Sequence, residues 1–159
     1  MRFTIFLIIM SWASMGISQK VEVITLSKQE QDYQRRIKKA YLNKVYIPKD
    51  LGECIVELNK LVSRESKAKF KKMPEAAAKV KLHFSLGRWI WHNWSLYEGS
   101  RLSVYFNKMK INHPEDMATF VVIAYHRYLN KKEIKAKELS QELRAARDKE
   151  RRRLKNKGS

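Results

Sequence analysis

The sequence predicts an all-α protein: a small irregular bundle of about five core helices, followed by a basic C-terminal helix that projects from it. Three observations carry this expectation. Apolar residues recur at helical spacing, most clearly at Leu51, Cys54, Ile55, Leu58, Leu61 and Val62. All three prolines, Pro48, Pro74 and Pro114, stand where a helix would open. From Lys131 onward the composition shifts to Lys, Arg, Glu, Gln and Ala, with few large aliphatics.

Residues 1–18 read as a secretory signal. Arg2 is followed by an uncharged run from Phe3 to Ile17, and the small residues Gly16 and Ser18 fit a signal-peptidase pocket. Cleavage near Ser18 would place the remainder in the periplasm or outside the cell. The run is shorter than the roughly 20 apolar residues a membrane helix needs, and no later segment reads as a transmembrane helix. What remains suffices for a single domain, divided into an amphipathic helical segment at 19–44, a helical core at 45–130 and a basic helical or frayed tail at 131–159.

Charge is distributed unevenly. The chain carries a net +18. Twelve of the residues in 131–159 are basic against five acidic, the densest positive segment. Such a balance attracts acidic polymers or a membrane surface. The tail lacks the interleaved aromatics that sequence-specific nucleic-acid binding uses. The lone Cys54 cannot form an intramolecular disulfide, and its place on an apolar stripe marks it as a buried small hydrophobe.

Element by element, Val21 to Leu26 alternates as a short extended lead, and Ser27 with Glu30 forms a capping box. The helix that follows places Tyr33, Ile37, Ala40 and Tyr41 on one face. Pro48 opens the second helix. Ser63 or Ser66 caps a short charged one, and Pro74 begins a helix burying Ala78, Leu82, Ser85, Leu86 and Trp89 and ending near His92. A helix from about Ser100 presents Leu102, Tyr105, Phe106 and Met109. After the cap residue His113 and Pro114, another presents Met117, Phe120, Val121, Ala124 and Tyr128.

The block His83 to Leu96 reads HFSLGRWIWHNWSL; it is followed by Glu98-Gly99-Ser100-Arg101-Leu102, Tyr105-Phe106, His113-Pro114-Glu115-Asp116-Met117 and Tyr125-His126-Arg127-Tyr128-Leu129. With the approach from Tyr46 to Leu51, it resembles an uncharacterised bacterial family, of Bacteroidetes type, whose members are short and often exported. His92 and Glu115 depart from that family's more usual arginine or asparagine and aspartate. The resemblance implies no reaction, substrate or cofactor.

Physically, the block sets Arg88, Asn93, Arg101, His113, Asp116 and Arg127 among aromatic residues. Two readings use the same side chains. In one, Arg88, Arg101 or Arg127 pairs with Glu98, Glu115 or Asp116 and lashes helices together. In the other, Arg88, Trp89, Trp91, Asn93, Trp94, Tyr97 and Arg101, with His113 and Asp116, form a site for a glycan, a peptide or an acidic surface polymer. Catalysis has less behind it. His83, His92, His113 and His126 with Glu115 or Asp116 could form a metal site or an acid-base pair, which makes a metal-dependent or acid-base hydrolase using His113 and Asp116 the alternative reading, but the sequence has no HExxH, paired-cysteine, GxSxG or Walker-type motif. No metal or cofactor is implied.

Overall fold

A computed structural model describes residues 27–157, apart from 82. The signal segment, the extended lead at 21–26 and the core place expected for Leu82 lie outside the described residues.

Helix α1, Lys28–Arg36, starts where Ser27 accepts a hydrogen bond from the Glu30 N–H. It buries no residue and stops earlier than the apolar spacing suggests. Ala40 and Tyr41 do not continue it, because the chain turns into a hairpin, β1 Tyr41–Leu42 and β2 Val45–Tyr46. Asn43 and Lys44 both adopt left-handed backbone angles (φ 48° and 65°), the two-residue turn whose twist suits antiparallel strands. Tyr41 and Tyr46 face each other across the ladder with their rings edge to face at 5.3 Å.

Helix α2, Leu51–Leu61, is capped by Asp50 rather than opened by Pro48, since the Asp50 carboxylate accepts from the Glu53 N–H at 2.9 Å. Leu51, Cys54, Ile55 and Leu58 form its buried stripe, while Leu61 is exposed. Burial pushes the Cys54 thiol well up, as suits an inert core residue. Ser63 caps α3, Arg64–Lys72, which contributes Phe70 to the core. Pro74 precedes α4, Glu75–Lys81.

A π-helical turn, His83–Gly87, then joins α4 to α5, Arg88–Asn93. The wider turn rotates the inward face relative to a continuous 3.6-residue stripe. Ser85, expected inside, is exposed, and Gly87, Ile90 and Trp94 take the interior. Ser100 and Ser103 cap each other reciprocally at the start of α6, Arg101–Lys108. Gly99 holds φ +89°, and a Cβ there would run into the Tyr33 ring.

Helix α7, Pro114–Leu129, is the centre of the bundle. Its residues from Met117 to His126 are all buried, and α2, α3, α4, α5, α6 and the π-helical turn pack around it. Tyr128, expected on its core face, is instead exposed. Polar ties fix the C-terminal half. His126 Nε2–H donates to the Met73 carbonyl at 2.8 Å. Arg127 donates to both Glu75 oxygens (3.0 and 2.7 Å) and to the Ile134 carbonyl. The buried Tyr125 hydroxyl donates to Asn59, and burial pushes its pKa up to about 12.

The last helix, α8, Ala136–Lys157, corrects the expectation of a tail lying wholly outside the core. Leu139 and Leu143, one turn apart, are buried together with Ser140, and this half docks on α7. Two leucines at that spacing suffice for a narrow apolar seam on an otherwise charged helix. The final turns, from Arg151 on, are exposed and do project.

Gly99→Ala is expected to lower stability by about 2 kcal/mol or more, since it adds left-handed strain to a clash with Tyr33. Urea unfolding checks this. A change below about 0.5 kcal/mol would show that the α1 contact is dispensable.

Candidate functional site

The nine residues that the sequence singles out fall into three places. The first is the outer face of α5. With Ile90 and Trp94 turned inward, at 0% and 1% exposure, Arg88, Trp91 and His92 must face out or sideways. Arg88, Trp89, Trp91 and Asn93, with Ser85 and His92, line an open groove of about 360 Å³. Trp89 is half-buried and rests edge-on against Trp94, 5.9 Å between centroids. Asn93 donates its amide to the Trp89 carbonyl at 2.9 Å, which holds the side chain against the helix. Arg88 is exposed and makes no ion pair among the described residues.

Tyr97 lies beside this groove, against Trp91. Its ring meets Trp91 edge to face at 4.9 Å, and its hydroxyl points at Glu115 Oε1 at a long 3.5 Å. Burial, and then the Glu115 charge, raise the Tyr97 pKa. Trp94 is no groove residue at all: it lies beneath, in the core, because the shifted register after the π-helical turn sends position 94 inward.

The second place holds Arg101, on the side of α6 that faces α2. Its Nε donates to the Ile47 carbonyl at 2.6 Å and its Nη2 to Glu53 at 3.3 Å, and the guanidinium lies 5.0 Å from the Tyr46 ring centroid. Glu53 also accepts from the Tyr46 hydroxyl, the Lys49 N–H and the Lys49 ammonium. The Tyr46 hydrogen bond, aided by both Lys49 groups and opposed by burial, holds the Glu53 carboxyl at about 2. Arg101 is therefore a clamp between α6, the hairpin and α2.

The third place is the start of α7. His113 occupies the N-cap position but makes no capping bond with its side chain. Its Nδ1 lies 3.2 Å from Arg147 Nη2, and Asp116 receives Arg147 Nε and Nη2 on its two oxygens at 2.9 and 2.8 Å. The guanidinium also stands 3.5 Å from Glu115. A general base must offer its lone pair to a substrate proton. Here both Asp116 oxygens and Nδ1 of His113 are turned to Arg147.

The ion pairs that lash helices together differ from those expected. Arg101 takes Glu53, Arg127 takes Glu75, and Asp116 takes Arg147, while Glu98 offers its backbone carbonyl to Arg36. Glu53, Glu75 and Arg147 were missed because each looks like an ordinary wet-face residue of its helix. The one available signal was the seam of Leu139 and Leu143, which places Arg147 a turn further along the docked face.

The family model for a domain of unknown function, DUF6794, matches residues 47–129. The chain belongs to the DUF6794 family. That span runs from Ile47, whose carbonyl Arg101 grips, to the end of α7, and it contains every residue of the α5 groove. Helix α8 of this DUF6794 protein lies beyond it. No curated protein and no solved structure matches the chain.

Two outcomes follow from this geometry. Arg101→Ala is expected to cost about 2 kcal/mol or more, because it strands the Ile47 carbonyl and removes the link from α6 to Glu53 and the Tyr46 ring, whereas Arg88→Ala leaves the melting temperature nearly unchanged. Equal losses in both variants would contradict the placement. Glu53 titrates near 2 when folded, against an ordinary 4.5, so its contribution is complete above about pH 4.5 and is lost as pH falls toward 2. Urea unfolding between those pH values is expected to fall more steeply in the wild type than in Glu53→Gln.

Proposed function

We propose that this DUF6794 protein is an exported binding module, and that its ligand, a glycan, lies in the groove on the outer face of α5. Export is supported by the order of charge, apolar run and small residues in 1–18. Among the described residues no helix is long and apolar enough to cross a membrane.

The observation that carries the binding reading is the open position of Arg88 beside the half-buried rings of Trp89 and Trp91. An arginine kept for structure finds a carboxylate, as Arg101, Arg127 and Arg147 do. Among the described residues nothing accepts the N–H donors of Arg88, and the tryptophan rings offer apolar area to the C–H face of a sugar ring. Together with the Asn93 amide they supply the mixture of flat apolar surface and few polar groups that fixes a small ligand. An acidic surface polymer calls on the arginine alone and leaves the ring faces idle. Hydrolysis by His113 and Asp116 is disfavoured because Arg147 occupies the lone pairs that such chemistry needs.

Titration with a panel of soluble bacterial oligosaccharides, followed by tryptophan fluorescence, tests the proposal. Binding is expected to shift the emission, and Trp91→Ala and Arg88→Ala each to weaken it about tenfold or more with the melting temperature preserved. Absence of any glycan response, or binding that survives both substitutions, rules the groove out.

A further inference from the structure

A second cavity, separate from the α5 groove, lies where the turn between α6 and α7 meets α8. It is open, holds about 400 Å³, and has Lys110, Arg144, Arg147 and Arg151 on its walls. Arg144, Arg147 and Arg151 stand three and four residues apart, so they share one face of α8 over about two turns. Like charges at that spacing repel. In the lining Asp116 and Asp148 stand against four cations, and Glu115 lies 3.5 Å from the Arg147 guanidinium, so the cavity keeps a net positive charge that rests on Arg144 and Lys110.

The cations are not equivalent. Arg147 is pinned by Asp116 and His113 through Nε and both Nη2 hydrogens, so its two Nη1 hydrogens are left in a fixed orientation. Arg151 leans on Asp148 at 2.8 Å. Arg144 and Lys110 are exposed and have no ion-pair partner among the described residues. Ile111, only 2% exposed, also lines the cavity and lowers the local polarity under these charges.

We propose that this cavity binds a phosphate-type anion, with the two Nη1 hydrogens of Arg147 as its fixed anchor and Arg144 and Lys110 closing over it. The net positive charge of the cavity suits an anion, and fixed guanidinium donors beside two mobile cations suit a tetrahedral oxyanion better than a halide. The acids Glu115 and Asp116 already occupy the first turn of α7, so the site depends on these side chains and not on that helix's dipole. The phosphate is either a soluble one or a lipid headgroup.

Calorimetric titration of the purified protein with sodium phosphate, against sodium chloride at equal ionic strength, tests this. Lys110→Gln/Arg144→Gln is the diagnostic variant, because both residues are exposed and unpaired and the fold does not need them; Arg144→Ala alone provides a milder version. Saturable phosphate binding is expected in the wild type, weakened about tenfold in the double variant, with equal melting temperatures in phosphate-free buffer. Sedimentation with phosphatidylcholine vesicles, with and without phosphatidic acid, separates the two sources. Acid-lipid binding that the double substitution abolishes and free phosphate competes away assigns a headgroup, and phosphate binding without sedimentation assigns a soluble phosphate. Phosphate that binds no better than chloride, or equally well to the double variant, overturns the site.

Discussion

Ten consecutive residues of α7, Met117 to His126, are buried, and a helix that is apolar on every side has to be covered on every side. That requirement explains why helices as short as α3, α4 and α5 are stable: each would be marginal alone and gains its order by packing on α7. It also explains why the bundle is irregular. Five short helices, a π-helical turn and the docked half of α8 tile a cylinder less regularly than four long helices would.

The buried centre imposes a second condition, because its ends carry polar groups that need partners. Arg127 at one end ties α7 to Glu75 and to the Ile134 carbonyl, and Asp116 at the other receives the Arg147 fork from α8. Removing one member of such a partly buried pair leaves the other uncompensated, so these ties specify how α4 and α8 dock as much as they stabilise them. His126 is the point of greatest tension. Its Nε2–H is satisfied by Met73, but its Nδ1 is buried without a hydrogen-bond partner among the described residues, 4.0 Å from Glu75.

The α5 groove is a by-product of the same packing. Gly87, Ile90 and Trp94 must face α7, and the π-helical turn before them supplies the rotation that brings them there. Once they point inward, Arg88, Trp91 and His92 have no route to the interior. A π-helical turn costs hydrogen-bond quality and is frequent beside functional surfaces, which fits its place directly before the exposed arginine and tryptophans. This is also why the sequence was legible only in part. Several local signals were legible: the Ser27 cap, Ser63 as one of two candidate caps, a helix start near Ser100, the α2 stripe as far as Leu58 and the proline that opens α7 are all decided within a few residues. The stripe through Ser85 failed because a 3.6-residue period cannot see a π-helical turn, and the hairpin was missed because Asn43-Lys44 lacks the glycine that usually marks such a turn. The ion pairs were illegible for another reason. Arg101 with Glu53, Arg127 with Glu75 and Arg147 with Asp116 join residues 48, 52 and 31 positions apart, and only tertiary packing decides among so many equivalent charges.

The two surfaces stand differently toward the DUF6794 family. Every residue lining the α5 groove lies within the matched span 47–129, as do the residues that pin it from below and beside, Trp94 and Tyr97. The cationic cavity takes its floor and Asp116 from that span, but Arg144, Arg147 and Arg151 come from α8, outside it. A property shared across the family has to rest on residues within the matched span, so the groove meets that condition and the cavity does not. The cavity depends instead on α8, which lies outside that span. Tyr97, Glu115 and Arg147 connect the two surfaces through contacts of 3.5 Å each. Asp116 holds Arg147 by two hydrogen bonds, and Glu115 beside it carries the connection on to Tyr97, whose ring rests against Trp91 of the groove.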